Sequence, residues 1–331
     1  MDTANSPDTT EGVLGSQKPD ITCYSTDLLP AKTNASDMEK AVTFIEVKRS
    51  KDLDCFSDPP AGTNRADWQF ILPVGRTAPV DSAKALGQNM AYAAAMLRRQ
   101  QRCFAFSVFM FADTIRLARW DRAGGIVTEV FSLHDRPELL CEFFWCLSQV
   151  TEEQRGYDLS VRVASEAEAK LFSRVIRDHV RRQRQNTRVK VTTLTKEHYA
   201  EGSVLSVYIP DKRFPLTENH SRRLLVSRSL LAPQSVSGRG NRLFWAVEPL
   251  TESVYLLKDT WRYWAQGSEG QEGAIMTTIS SVLLQSENAH FAIPTVHSHG
   301  DVPCATFEVD AVHGRAYTTF LGECRVKYTV P

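Results

Sequence analysis

The chain has 331 residues, a length that at roughly 150 residues per domain suggests two domains. It is 42% hydrophobic and 24% charged, enough apolar residue to bury a globular core. Thirty-nine Lys and Arg balance 39 Asp and Glu, which excludes a globally basic nucleic-acid coat and an acidic tail protein but leaves room for a local basic patch. No run of about 18 apolar residues occurs, so no membrane span is expected. The first 20 residues lack a basic start and an apolar centre and do not read as a secretory signal. Seven irregularly spaced cysteines read as reduced thiols, which fits an intracellular protein, cytoplasmic or nuclear.

Residues 1–16 are polar and read as a disordered terminus. Short β signals follow at 21–24 and, more sharply, at 41–48, the latter bounded by the loop 56–60. Residues 81–102 carry the best helical pattern. Leu86, Met90, Ala93 and Leu97 form its apolar stripe, Asp81 or Ser82 can cap it, and Arg98, Arg99 and Arg102 suit its C-terminal dipole. Residues 103–112 are almost continuously apolar, as in a strand buried on both faces. A hairpin over 115–131 turns at Asp121–Gly125. Helices are expected over 137–150, with Pro137 in its first turn, and over 165–184, opened by the capping box Ser165–Glu168.

Beyond Asn186 the pattern changes to strands, expected at 189–195, 204–209, 223–230, 243–247 and 254–257, then a helix at 272–284. The expected fold class is α+β. An N-terminal α/β unit with a mixed sheet over 17–186 precedes a mostly β part over 187–331.

Two constellations carry chemistry. The first is Asp20, Glu46, Lys48 and Gln88. Glu46 and Lys48 share a strand face because side chains alternate with a period of two. Asp20, at the start of an earlier strand, can bring a second carboxylate beside Glu46, and two carboxylates suit a hard cation such as Mg²⁺. A lysine beside that ion could hold a scissile phosphate. The same residues could instead form a solvent-facing charge pair on a half-exposed strand. The second constellation is Gly238–Arg239–Gly240, a strand, and then Lys258 at the end of another apolar strand. Glycines let a backbone turn approach phosphates. A hairpin turn is the plainer reading of the same glycines.

Asp20, Glu46, Lys48 and the Gln88 helix resemble the core of the PD-(D/E)xK nuclease-like fold, over about residues 17–120. That resemblance implies Mg²⁺-dependent cutting or binding of nucleic acid. A longer resemblance spans 17–331. Its segments are Phe56–Pro60, Gly87–Ala93, Phe104–Phe111, Arg116–Gly124, Glu152–Asp158, Gly238–Arg242, Tyr255–Arg262 and Glu272–Gly273. Together they are similar to the fungal-type protein kinase family. The resemblance implies a protein-kinase-like small lobe that holds ATP and Mg²⁺ through Gly238, Gly240 and Lys258. Glu272, or alternatively Glu269, would pair with that lysine.

The sequence departs from a working kinase. Neither His-Arg-Asp nor Asp-Phe-Gly occurs; His134–Asp135–Arg136 is a scrambled look-alike. Ser237 stands where a further glycine is usual, and 73 residues follow Lys258. The expectation is therefore a C-terminally truncated homologue, a pseudokinase with weak ATP binding and no phosphotransfer alone. The alternatives are the nuclease-type module and an interaction scaffold, with a protein partner, or nucleic acid under the nuclease reading. His297, His299, Cys304 and His313 match no zinc-site spacing, so no zinc is expected. Arg181–Arg184 with Arg188 and Lys190 reads as a solvated helix end rather than a nucleic-acid patch.

Overall fold

The computed structural model describes residues 18–26, 36–73, 75, 79–183, 190–210, 221–262, 272–283, 295–301 and 324–330. They fall into two compact units, Met1–Tyr157 with Gln234–Ser237, and Asp158–Pro233 with Gly238–Pro331. The fold is mixed α+β: a mixed sheet with helices in the first unit and an antiparallel sheet in the second.

In the first unit β1 (Ile21–Tyr24), β2 (Ala41–Lys48), β3 (Ala105–Phe111), β4 (Thr114–Asp121) and β5 (Gly124–Val127) lie side by side in that order, with β6 (Phe131–Ser132) also beside β4. β2 and β3 are parallel and are joined by the helix α1 (Val80–Arg99), while the other pairs are antiparallel. The alternation of side chains sorts the core into two faces. Phe44, Phe109, Phe111 and Trp120 pack with Ala85, Tyr92, Ala93 and Met96 of α1. Ile45, Val108 and Ile115 pack with Leu140, Phe143 and Phe144 of α2 (Pro137–Gln149). β3 is thus covered on both sides, as its unbroken apolar run requires.

The ends of α1 differ from the pattern read in the sequence. Pro79 stands at the N-cap, and the Ser82 hydroxyl donates to its carbonyl at 2.6 Å instead of capping an amide. The helix stops at Arg99 because Arg102 turns inward. Its guanidinium is buried and donates to the carbonyls of Ala41, Val42 and Arg155 and to the Tyr157 hydroxyl.

The second unit is built on the sheet order β13-β14-β12-β11-β9-β8-β7, all antiparallel. Its strands are β7 (Val161–Val163), β8 (Leu205–Pro210), β9 (Ser221–Val226), β10 (Ser229–Leu231), β11 (Arg242–Val247), β12 (Val254–Arg262), β13 (Ser298–Asp301) and β14 (Cys324–Val330). β10 pairs with β11 off that path. The helices are α3 (Glu166–Gln183), α4 (Val191–His198) and α5 (Glu272–Leu283). α3 opens with the expected capping box: the Ser165 amide and hydroxyl both donate to the Glu168 carboxylate at 2.8 Å.

Two expectations are corrected. The division falls after Tyr157 rather than at 186, because Phe172, Val175 and Ile176 of α3 pack with Leu225 and Val247 of the second sheet. Residues 191–198 form α4 where β-branched residues suggested a strand. Leu194 is buried in the same core and Thr195 bonds back to the Val191 carbonyl at 2.7 Å, so tertiary packing overrides the local preference.

Candidate functional site

In the first unit, β1 and β2 pair with Ile21 opposite Ile45 and Thr22 opposite Phe44. Continued by one residue, that register sets Asp20 across from Glu46. The Val47 amide donates to Asp20 Oδ2 at 2.8 Å, and Lys48 Nζ donates to Glu46 Oε1 at 2.5 Å. Glu46 is 3% exposed, and its second oxygen, Oε2, is buried with no hydrogen-bond partner. Burial pushes the Glu46 carboxyl above the usual carboxylate range; Lys48 opposes that rise, and the Asp20 charge adds to it.

Asp20, Glu46 and Lys48 therefore share one corner of the sheet. Gln88 does not join them: it lies exposed on α1. The helix residue at this corner is Tyr92, four positions on. It is buried, its ring meets Phe44 edge-on, and its hydroxyl donates to the Lys18 carbonyl at 2.9 Å. Burial raises the Tyr92 phenol above its ordinary range, and the Glu46 and Asp20 charges push in the same direction. The corner offers two carboxylates and one ammonium, a set able to take a cation or to orient a polar ligand.

In the second unit, β11 and β12 pair with Leu243 opposite Lys258 and Arg242 opposite Asp259. The glycine segment therefore runs into β11 alongside the Thr260–Arg262 end of β12, and Lys258 stands at the middle of that nine-residue strand rather than at its end as the sequence suggested. Gly238 and Gly240 have φ of +97° and +52°, the left-handed region where a side chain is disfavoured. A Cβ at Gly238 would meet nothing within 4 Å, so the backbone rather than crowding calls for glycine there. The Trp261 amide donates to the Arg239 carbonyl at 2.8 Å, and the Thr260 hydroxyl donates to Asn241 Oδ1. Arg242 and Asp259 form a buried ion pair, with Nη2 and Nε donating to Oδ2 at 2.6 and 3.1 Å. Alternation puts Lys258 and Thr260 on the sheet face opposite to Asp259. Lys258 itself is half-buried.

Glu272 opens α5, but its side chain lies outside the described residues, as does the whole of Glu269. Gly273 has a plain steric role. A Cβ there would come within 2.6 Å of His299 Cβ, so glycine lets α5 lie close against β13.

The minor candidates resolve as structure. His134–Asp135–Arg136 forms the turn before α2, with Arg136 paired to Glu138. The His297 ring packs against Tyr255 at 5.1 Å; Cys304 and His313 lie outside the described residues. Arg181 pairs with Asp178 at 2.6 Å, while Arg184 and Arg188 lie outside the described residues. Among the described residues no three His, Cys, Asp or Glu side chains gather into a metal-holding group.

Sequence reasoning missed one cluster. Arg116 is buried and donates to Asp54 at 2.7 Å, to Asp58 at 2.6 Å and to the Thr128 carbonyl at 3.0 Å. The signal was present: Asp58 and Arg116 both sit in segments that resemble the kinase family. The same holds for Arg242 and Asp259.

The chain belongs to the fungal protein kinase family: the model of that family, described as "Fungal protein kinase", matches residues 60–285, more than half of the chain. The matched range contains Gly238, Gly240, Lys258 and Glu272. No curated protein matches the chain. No solved structure matches it either. Membership implies ATP and Mg²⁺ as ligands of the family in general. No described helix is long and apolar enough to cross a membrane.

Proposed function

We propose that this chain holds ATP weakly through Gly238, Gly240 and Lys258 and does not transfer phosphate on its own. The observation that carries this reading is the pairing of Leu243 with Lys258 inside the family-matched range. It supports a lysine ammonium beside a glycine segment whose left-handed residues give the backbone room to meet phosphate oxygens. ATP, when bound, supplies the phosphate charge that the lysine neutralises. Arg242 and Asp259, paired on the other side of the strand, fix the backbone on which Lys258 stands.

The absence of phosphotransfer rests on the sequence. The 331 residues contain neither His-Arg-Asp nor Asp-Phe-Gly, the groups that orient the nucleophile and hold the metal in a kinase. A thermal-shift titration with Mg-ATP tests the binding half. The expected result is a modest rise in Tm that Lys258→Ala removes. A shift that survives Lys258→Ala would refute the role given to that lysine.

A second reading is supported by the corner at Asp20, Glu46 and Lys48. A buried carboxylate oxygen without a donor is costly unless a proton or a cation satisfies it, and Glu46 Oε2 is such an atom. Under this reading the corner takes Mg²⁺ and acts on nucleic acid. Incubation of DNA or RNA with the protein and Mg²⁺ tests it: cleavage that Glu46→Ala abolishes supports it, and no cleavage at any Mg²⁺ concentration opposes it.

A further inference from the structure

Glu46 sits on β2, which lies between β1 and β3, and it pairs with Phe109 across the parallel register, so the backbone that carries it is fixed. Its carboxylate is closed in: the side chain is 4% exposed, and Oε2 has no hydrogen-bond partner. Lys48, the last residue of the same strand, is also held at its backbone, where the Ala112 amide donates to its carbonyl at 2.7 Å. Its side chain is another matter. It is 19% exposed, carries its ammonium on a flexible four-carbon stem, and reaches Glu46 Oε1 at 2.5 Å.

Two carboxylates brought together repel unless a positive charge lies close by. At this corner Asp20 comes across from Glu46, and the Lys48 ammonium supplies that charge. Lys48 therefore stands in for a bound cation and occupies one of the two Glu46 oxygens that a cation would use. A divalent ion arriving alone meets an ammonium already in place, and like charges oppose its entry. A phosphate meets the corner differently. An ammonium has three protons, and the bond to Glu46 uses one. The ammonium is also on the more exposed side chain of the pair, so it is the group an incoming phosphate reaches first. A phosphate that draws Lys48 outward uncovers Glu46 Oε1 beside the unpartnered Oε2.

We propose that Lys48 is a built-in plug of the cation site at Asp20 and Glu46, released by phosphate, so that divalent cation and phosphate bind cooperatively. This rests on the second reading above, and every residue involved lies in the first unit. The coupling is reciprocal: the cation tightens phosphate by the same factor as phosphate tightens the cation.

The test uses the full chain, unaltered and as Lys48→Met, which keeps a long stem and removes the charge. Mn²⁺ is the probe, because it takes the same oxygen ligands as Mg²⁺ and its free fraction is read from its electron paramagnetic resonance. Each form is titrated alone, with inorganic phosphate, and with a DNA duplex whose phosphorothioate linkages resist cutting. Samples without protein correct for metal held by the phosphate itself. Without phosphate, Lys48→Met is expected to hold Mn²⁺ on the order of fivefold tighter than the unaltered chain. Phosphate is expected to bring a gain of similar size to the unaltered chain and a smaller one to the variant. Equal or weaker binding by Lys48→Met alone overturns the plug and leaves the cation reading standing. If Lys48→Met fails to fold, the unaltered chain decides: a gain from phosphate supports the plug, and no gain from either source overturns it. A gain from inorganic phosphate but not from the duplex supports the plug and overturns the nucleic-acid reading of the corner. If neither form binds Mn²⁺, the cation reading falls and the plug falls with it.

Discussion

Lys258 stands opposite Leu243, and its sequence neighbour Asp259 closes a buried ion pair with Arg242, the residue before Leu243. The two strands are thus locked at the position where the candidate phosphate-binding lysine emerges. Removing one partner of a buried pair leaves the other charge buried and uncompensated, at a cost of about 3–5 kcal/mol. Asp259→Ala is expected to lower stability by that amount in urea unfolding, and Asp259→Asn by less. A loss under about 1 kcal/mol for Asp259→Ala would show that the pair does not lock the strands.

Glu46 gives a pH signature. Its carboxyl titrates above the ordinary value of 4.5, so the native state holds that proton more tightly than the unfolded state. Stability from this group is greatest at low pH, falls as pH rises from the ordinary value to the raised folded value, and is flat above it. Glu46→Gln removes that slope and still leaves an amide oxygen for Lys48. The difference in stability between the parent and Glu46→Gln is expected to shift toward the variant as pH climbs through this window, then level off. A difference that does not change between pH 4 and pH 7 would contradict the burial argument.

Arg116 is expected to be structural rather than catalytic. It joins Asp54 and Asp58 to the Thr128 carbonyl, and burial raises the Asp54 carboxyl even with Arg116 beside it. Arg116→Met leaves two part-buried carboxylates unpaired and is expected to cost about 3–5 kcal/mol. Differential scanning calorimetry reads the loss. A Tm within about 1 °C of the parent would show that these contacts carry no net stability.

Gly238 separates backbone demand from crowding. Its φ of +97° disfavours any side chain, and open space surrounds the position a Cβ would take. Gly238→Ala is expected to cost about 1 kcal/mol through the backbone alone. Chemical denaturation of the two forms measures it. A loss above about 4 kcal/mol would point to crowding that the structure does not contain.

Much of the fold was legible in the sequence, and the reasons are local. The buried run at β3, the β signal bounded by a loop at β2 and the capping box of α3 each satisfy a short-range rule, and each forms. α4 was not legible, because its helix depends on Leu194 reaching a core built from distant residues. The end of α1 was misread for a similar reason. Arg102 continues the helical charge pattern, yet it is drawn inward by carbonyls from Ala41, Val42 and Arg155.

The corner at Glu46 was partly legible. The period of two put Glu46 and Lys48 together, and the place of Asp20 at the start of an earlier strand pointed to the second carboxylate. Helical spacing alone did not separate Gln88 from Tyr92, since residues four apart lie near the same face and only packing decides which one is buried. The partnership of Arg242 with Asp259 needed the register of two strands, which no single-sequence pattern supplies.

The most direct measurement is a calorimetric titration of Mg-ATP into the intact chain and into Lys258→Ala under identical conditions. The account predicts weak, saturable binding to the parent and none that can be measured with the variant. Equal affinity in the two would contradict it, because the ligand would then be held somewhere other than beside Gly238, Gly240 and Lys258.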